Sequence, residues 1–126
     1  MMRSKYGNKK VDTPDGKFDS RKEYKRWCEL KLLERAGEII CLERQKKFML
    51  IPAQYERYER ISQKTGNKLK DGIRCIEKEC SYIADFVYYN SKGELVVEDA
   101  KGVRTEGYII KRKLMLGIYG IRIKEV

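Results

Sequence analysis

The chain has 126 residues, with 29 Lys and Arg against 19 Asp and Glu, so its formal net charge is +10. A chain of this length can bury one modest core, and its apolar fraction of 41% excludes a disordered tail. Because it contains no histidine, His-based acid–base catalysis and His-containing metal sites are excluded, and the positive charge favours a polyanionic partner, nucleic acid before an anionic membrane surface.

The N-terminal segment, residues 1–15, is basic and poor in apolar residues, which predicts a flexible arm. The chain shows no apolar signal sequence and no run near the roughly 20 apolar residues of a membrane span. We therefore expect a cytoplasmic protein with no membrane partner. In such a reducing compartment, disulfides among the four cysteines are disfavoured, and Cys75 and Cys80 lack the second pair that a zinc site would require.

A helix is predicted to follow the arm. Ser20 and Glu23 have the spacing of a capping box, and Gly37 is a typical residue beyond a helix end, so the helix should run to about Ala36. At 100° per residue, Glu23 shares a broad arc with Trp27, which should pack inward. Glu23 therefore has two possible roles, as the capping partner of Ser20 or as an inward-facing functional acid.

Two segments of different character come next. Residues 39–51 contain short apolar stretches and predict one or two strands, with Pro52 at their exit. Residues 54–78 are dense in charge and tyrosine, and we interpret them as an inserted hairpin or lobe that extends from the core.

The centre of the chain predicts a β-hairpin with an acid on each strand. If residues 91–93 form a three-residue loop with Gly93 left-handed, Asp85 lies directly opposite Asp99; a four-residue loop would oppose Asp85 to Glu98 instead. Opposed like charges are destabilising unless a divalent cation lies between them, and carboxylate oxygens suit Mg²⁺. Strand alternation also places Lys101 on the face of Asp99.

That hairpin has a simpler interpretation as a strand pair with acids on a solvated face. The apolar residues at alternate positions around the acids argue against it, because they mark the same face as largely apolar: Ile83, Val87, Leu95 and Val97. By the same alternation, Glu98 should point away from Asp99 and form a salt bridge on the other side of the sheet.

The C-terminal part predicts a second helix over residues 105–116, from an N-capping Thr105 to an end near Gly117, and then a closing strand over residues 120–126. The element order is helix, strands, hairpin, helix and strand. This order predicts one α/β domain, with a mixed sheet flanked by helices.

Together, Asp85, the Asp99-Ala100-Lys101 triplet and the helical Glu23 resemble the motif of the PD-(D/E)XK nuclease superfamily. No proline precedes Asp85 here, which departs from that pattern. Three segments in order, residues 18–23, 82–86 and 96–102, further resemble a phage-associated family related to Holliday junction resolvases. The resemblance implies a restriction-endonuclease-like αβββαβ core within residues 16–126, in a protein acting in the bacterial host cytoplasm if it is phage-encoded.

The resemblance also implies site roles. Asp85 and Asp99 would hold Mg²⁺ or Mn²⁺, with Glu23 as a further ligand, either directly or through water, and the Ala100 backbone carbonyl as a further candidate ligand. Lys101 would position or deprotonate the attacking water, or stabilise charge on the phosphate. Three basic residues are predicted DNA contacts: Arg104, Lys111 and Lys113. Lys111 and Lys113 are equally compatible with the solvated side of a helix.

The residues by themselves predict metal-dependent cleavage of a nucleic acid. The resemblance implies an endonuclease for branched DNA, four-way junctions in particular, and hence a homodimer that makes paired nicks. One alternative is a nuclease for flaps, nicks or plain duplex. Another is a non-catalytic basic DNA-binding protein, whose affinity would fall steeply with salt. Such a protein has no use for two acids grouped near a polyanion, which is why we rank it lower.

Overall fold

A computed structural model describes residues 10–100 and 102–126, which form a mixed α/β structure with two helices and three sheets. In chain order the elements are β1 (Val11–Thr13), β2 (Gly16–Phe18), α1 (Arg21–Arg35), β3 (Ile40–Ile51), β4 (Gln54–Tyr58), β5 (Gly72–Glu77), β6 (Cys80–Tyr89), β7 (Leu95–Asp99), α2 (Glu106–Tyr119) and β8 (Lys124–Glu125).

The central sheet has four strands in the order β3-β6-β7-β8. Strand β6 pairs antiparallel with both β3 and β7, whereas β8 returns parallel to β7 after the α2 crossover. The predicted mixed sheet with two flanking helices is confirmed.

Each face of the central sheet covers its own apolar cluster. On one face, Leu30 of α1 packs against buried side chains of β2 and β6 and against Ile39, just before β3, and we call this side the α1 face. On the other, Tyr108 and Met115 of α2 pack against β3, β6, β7 and the segment before β8, and we call this the α2 face. Because both faces are covered, the acids of β6 and β7 lie between two apolar layers.

Helix α1 has the predicted boundaries. The Ser20 side chain accepts a hydrogen bond from the Glu23 backbone N–H (3.1 Å), which satisfies one of the free donors of the first turn. At the other end Gly37 has φ of 77°, and the backbone N–H of Glu38 donates to the Leu33 carbonyl (3.0 Å). These are the contacts of a Schellman motif, for which glycine is favoured.

Three boundaries differ from the sequence prediction. Strands β1 and β2 form an antiparallel hairpin within and beyond the predicted flexible arm, while residues 1–9 lie outside the described residues. Helix α2 continues through Gly117 to Tyr119, because an interior glycine costs only about 1 kcal/mol and Gly120, with φ of 67°, provides a better C-cap. The predicted closing strand over residues 120–126 is shorter, since pairing with β7 covers only Lys124–Glu125.

Strands β4 and β5 form their own two-stranded antiparallel sheet, separate from the central one. They and the loop between them, residues 54–77, lie in the segment for which the sequence predicts an inserted hairpin or lobe, and we call them the inserted hairpin. No helix within the described part of the chain has the length and apolar character needed to cross a membrane.

Candidate functional site

The loop between β6 and β7 sets the register of the two central acids. The Asn90 N–H donates to the Glu94 carbonyl (2.9 Å), and Gly93 has φ of 77°, as in a three-residue hairpin loop. The ladder ends with Phe86 opposite Glu98, and one further step in this register opposes Asp85 to Asp99. The predicted three-residue loop is confirmed, and the alternative four-residue loop is wrong.

Strand β6 changes face at Asp85. Before this residue, Tyr82 and Ala84 belong to the α2 face; after it, Phe86 belongs to the α1 face and Val87 to the α2 face. The regular alternation that would put Ile83 and Val87 on one face is therefore wrong, and Ile83 is 52% exposed.

The change of face coincides with an irregularity in β3. The ladder between β3 and β6 joins Arg44 to Phe86 and Lys46 to Ala84, and it skips the intervening positions, Gln45 and Asp85. Gln45 has φ of 53°, a left-handed conformation that a non-glycine residue adopts at a cost of about 1–2 kcal/mol. Asp85 thus lies opposite the left-handed Gln45, at a position where one pair of the ladder is missing while the register of the two strands stays the same.

Asp85 and Asp99 are in direct contact. A side-chain hydrogen bond joins their carboxyl groups, and the Ala100 backbone N–H donates to Asp85 Oδ2 (2.9 Å). Asp99 is 1% exposed, and the hydroxyl of Tyr82 donates to its Oδ2 (2.5 Å). Burial and the Asp99 hydrogen bond raise the pKa of the Tyr82 phenol, so it remains a donor at neutral pH.

This arrangement strongly perturbs the Asp85 carboxyl. Burial is the first cause, the negative charges of Asp99 and Glu23 add to it, and together they raise the pKa of Asp85 to about 8. At neutral pH the pair therefore holds a proton between its oxygens, as expected for two carboxylates that share one site. A cation in the place of that proton would relieve the same repulsion.

Glu23 reaches the site from the first turn of α1 and is 3% exposed. Its Oε1 accepts a hydrogen bond from Gln45 Nε2 (3.3 Å) and lies 3.9 Å from the Arg44 guanidinium. Burial first, and the Asp19 charge second, raise the pKa of Glu23. Its carboxylate thus points inward, although its backbone N–H still takes part in the Ser20 cap.

A cavity of about 290 Å³ opens beside Glu23, lined also by Lys17, Asp19, Arg44 and Gln45. Arg44 is held there by several contacts: its guanidinium lies 3.7 Å from the Phe18 ring centroid and donates to the Lys17 carbonyl (2.8 Å). A fixed positive charge therefore stands at the edge of the acidic cluster.

Glu98, next to Asp99, faces the opposite side of the sheet and is completely buried. Arg26 binds it with two parallel hydrogen bonds, Nε to Oε1 (2.7 Å) and Nη2 to Oε2 (2.8 Å), and the Tyr88 hydroxyl also donates to it. The prediction that Glu98 forms a salt bridge away from the site is confirmed. Arg26 lies one turn after Glu23 on α1, and Glu98 precedes Asp99 on β7. The Arg26–Glu98 ion pair therefore joins the helix to the strand next to Glu23 and Asp99.

The predicted DNA contacts lie in different places. Lys111 lines a pocket of about 450 Å³ with Tyr82 and Tyr108, near the acids. Lys113 is exposed beside a second cavity, and Arg104 is bound to Glu125 (Nε to Oε2, 2.5 Å). Lys101 is outside the described residues, and for Ala100 the structure gives the N–H contact to Asp85 rather than a role for its carbonyl.

Sequence reasoning missed three residues that shape the site: Gln45, Arg44 and Tyr82. A left-handed glutamine in a long strand has no local sequence signal, because only glycine and asparagine mark that conformation. Tyr82 could have been found, since a tyrosine next to a predicted buried carboxylate is a frequent hydrogen-bond donor.

We tested whether these residues fit a divalent cation. Carboxylate oxygens are the ligands that Mg²⁺ and Mn²⁺ prefer, and the Asp85–Asp99 pair supplies them from a rigid sheet. Between residues 10 and 126, Lys101 excepted, no group of three or more His, Cys, Asp or Glu is arranged to hold a metal ion. The oxygen atoms of Asp85 and Asp99 thus suit a divalent cation in their chemistry. Glu23 acts on this pair through its negative charge, which contributes to the raised pKa of Asp85.

The chain belongs to a protein family described as a protein of unknown function (DUF1064), whose model matches residues 3–123. No curated protein and no solved structure matches it.

Proposed function

We propose that this protein is a metal-dependent endonuclease that hydrolyses phosphodiester bonds in branched DNA, resolving four-way junctions by paired nicks from a homodimer. The observation that carries the proposal is the direct contact between Asp85 and the buried Asp99, in a chain of net charge +10. An acidic pair would repel a polyanion, and it becomes useful beside one when a divalent cation bridges them.

The order of the core elements supports the resemblance to the PD-(D/E)XK superfamily. Without the β1–β2 hairpin and the inserted hairpin, the chain runs α1, β3, β6, β7, α2, β8. This is the αβββαβ order of the restriction-endonuclease-like core that the resemblance implies. The two acids lie on consecutive strands of this core, Asp85 in the middle of β6 and Asp99 at the end of β7.

In this proposal Asp85 and Asp99 would hold Mg²⁺ or Mn²⁺, and the Ala100 carbonyl would be a further ligand. Glu23 would join them through a water molecule, since the three acids are not arranged as one metal-binding group among the described residues. The bound cation would polarise the phosphate and activate a water molecule. Tyr82 fixes the orientation of Asp99, and the Ala100 N–H fixes that of Asp85. Lys101 orients or deprotonates the attacking water, or stabilises the charge that develops on the phosphate.

In this proposal the basic side chains around the acidic cluster contact the DNA backbone. Lys111 lies in the pocket that borders Tyr82, so a phosphate next to the scissile one can reach it. Arg104 and Lys113 serve as further backbone contacts, and Arg104 would exchange its partly exposed ion pair with Glu125 for a phosphate.

The test is cleavage of an end-labelled four-way junction beside a linear duplex of the same sequence, in Mg²⁺ or EDTA. We expect paired nicks in the junction with Mg²⁺, none in EDTA and none for Asp99→Asn. Glu94→Gln, which removes an exposed acid of the β6–β7 loop, is the matched control and should cleave like the wild type.

Other outcomes separate the alternatives. Equal cutting of duplex and junction would retain the nuclease and remove the junction preference. Tight binding without cutting in Mg²⁺ or Mn²⁺, unchanged by Asp99→Asn, would contradict the proposal and leave a DNA-binding protein.

A further inference from the structure

The tip of the inserted hairpin is strongly basic. The hairpin tip, residues 60–70, has four cations and no acid: Arg60, Lys64, Lys68 and Lys70. Because strand β5 adds Arg74 and β4 adds acids such as Glu56, the charges are mixed nearer the core and of one sign only at the tip. Such a single-sign patch on an extended element attracts a polyanion.

The hairpin tip also exposes apolar side chains. Ile61 is 63% exposed and Leu69 is 41% exposed. Ile61 pairs across the hairpin with Lys68, and the Leu69 N–H donates to the Arg60 carbonyl (2.8 Å). Since directly opposed residues share a face, each face of the tip combines one basic and one apolar side chain.

The loop at the end of the hairpin tip is held in a defined conformation. The Ser62 N–H donates to the Asn67 carbonyl (2.9 Å), the Gly66 N–H donates to the Ser62 carbonyl (2.8 Å), and Gly66 has φ of 70°. The Ser62 hydroxyl accepts from the backbone of Lys64 and of Thr65 (both 3.3 Å). A preformed loop loses little conformational entropy when it binds.

The local ion pair of the hairpin tip is easily exchanged. Lys68 lies 3.5 Å from Glu59, and their side chains are 65% and 73% exposed. Exposed pairs of this kind are worth about 1 kcal/mol or less, so a phosphate can replace Glu59 at small cost.

We infer that the hairpin tip is a second nucleic-acid contact, in which its lysines bind backbone phosphates while Ile61 and Leu69 insert against unstacked bases. Apolar side chains flanked by cations are the means by which proteins wedge open base steps, and the branch of a junction offers bases that are already partly unstacked. The inference rests on the proposed function only for the identity of the partner, since this contact requires neither the metal nor cleavage.

The test measures binding of the full-length protein to a four-way junction in EDTA, across a salt series, so that cleavage is absent. Lys64→Gln with Lys70→Gln removes two tip charges, and Lys25→Gln with Lys92→Gln removes two exposed charges elsewhere as the control. We expect the tip variant to bind about tenfold more weakly and to reduce the slope of log K against log [salt] by about 2. Equal affinity and slope for the two variants would overturn the inference.

A second measurement tests the wedge. A junction with 2-aminopurine at the branch should become more fluorescent when the wild type binds, and Ile61→Asn with Leu69→Asn should abolish that rise. Both residues are exposed, so thermal unfolding should change little. An undiminished rise would contradict the wedge.

Anionic phosphatidylserine vesicles distinguish the other partner that a basic and apolar tip could bind. Vesicle binding that depends on Lys64 and Lys70, together with DNA binding that does not, would overturn the inference in favour of a lipid surface. If the wild type instead binds the junction through the hairpin tip without cleaving it in Mg²⁺, that outcome would contradict only the proposed nuclease activity, not the hairpin-tip contact.

Discussion

Glu98 and Asp99 are neighbours on one strand and are equally buried, yet the charged groups that they meet on the two faces of the sheet have opposite signs. On the α1 face, Glu98 meets the guanidinium of Arg26 and the hydroxyl of Tyr88. On the other side, Asp99 meets a second carboxyl group, Asp85, and burial first and the Asp99 charge second raise the pKa of Asp85 to about 8.

The difference separates an acid that meets a cation from an acid that meets a second acid. A buried carboxylate with a bidentate arginine is neutralised within the fold, and removing the partner exposes the full desolvation penalty. A buried carboxylate beside another acid destabilises the fold at neutral pH, and such a cost persists where the cluster has a ligand to bind. Substitutions on the two sides should therefore change stability with opposite signs.

The largest effect should come from Asp99→Asn. We expect junction cleavage to fall by about 10³-fold or more, because a neutral amide removes the charge that would hold a cation. The melting temperature should instead rise by several degrees, because Asp85 no longer has to keep a proton next to the charge of Asp99. Cleavage assays and thermal unfolding of one preparation measure both, and an unchanged cleavage rate would contradict the assignment.

The opposite face should respond in the opposite direction. Arg26→Met leaves Glu98 buried without its cation and should lower the free energy of unfolding by about 3–5 kcal/mol. Combining it with Glu98→Gln should recover most of that loss, since the neutral amide needs no cation. Urea titrations of the two variants measure this, and a double variant no more stable than Arg26→Met would show that the ion pair is not the cause.

The raised pKa of Asp85 predicts a pH dependence of stability. In the folded protein this group keeps its proton up to about pH 8, whereas the unfolded chain loses it near the ordinary value of 3.8. Stability from Asp85 is therefore full below about pH 4 and declines as pH rises toward 8, by at most about 1.4 kcal/mol per pH unit. The raised pKa of Glu23 acts in the same direction.

Urea titrations of the wild type and Asp85→Asn from pH 4 to pH 8 isolate this contribution. The difference in unfolding free energy between the two should shift steadily in favour of the variant, and added Mg²⁺ should stabilise the wild type more at pH 8 than at pH 5. A difference that does not change with pH would mean that Asp85 is already ionised in the folded protein.

Gln45 should give the smallest effect. Gln45→Gly removes the hydrogen bond to Glu23 but relieves the left-handed backbone, so cleavage should fall only a few-fold while stability stays the same or rises by about 1 kcal/mol. Gln45→Ala keeps the strain and should be less stable than the glycine variant. If the two variants unfold at the same temperature, the backbone at this position is not strained.

The parts of the fold with local signals could be predicted from the sequence. The Ser20 cap, the Gly37 end of α1 and the Gly93 loop depend on a few adjacent residues, and the loop alone sets the opposition of Asp85 and Asp99. The element order followed from hydrophobic pattern and gave the mixed sheet.

What the sequence could not supply depends on distant contacts. The break in alternation at Asp85 arises from the left-handed Gln45 on another strand, and the partner of Glu98 is 72 residues away along the chain. The sequence prediction ended α2 near Gly117 because a glycine often follows the last residue of a helix. The helix instead ends before Gly120, the glycine that has the left-handed C-cap conformation. The role of Lys101 stays a prediction.

The proposed cation site at Asp85 and Asp99 is tested most directly by Mn²⁺ binding without DNA. Calorimetric titrations at pH 7 in buffers of different ionisation enthalpy should show Mn²⁺ binding to the wild type with release of about one proton, displaced from the acidic pair. Glu94→Gln should behave identically, and Asp99→Asn should lose both the binding and the proton release. Equal Mn²⁺ binding by Asp99→Asn and the wild type, or none by either, would contradict the account.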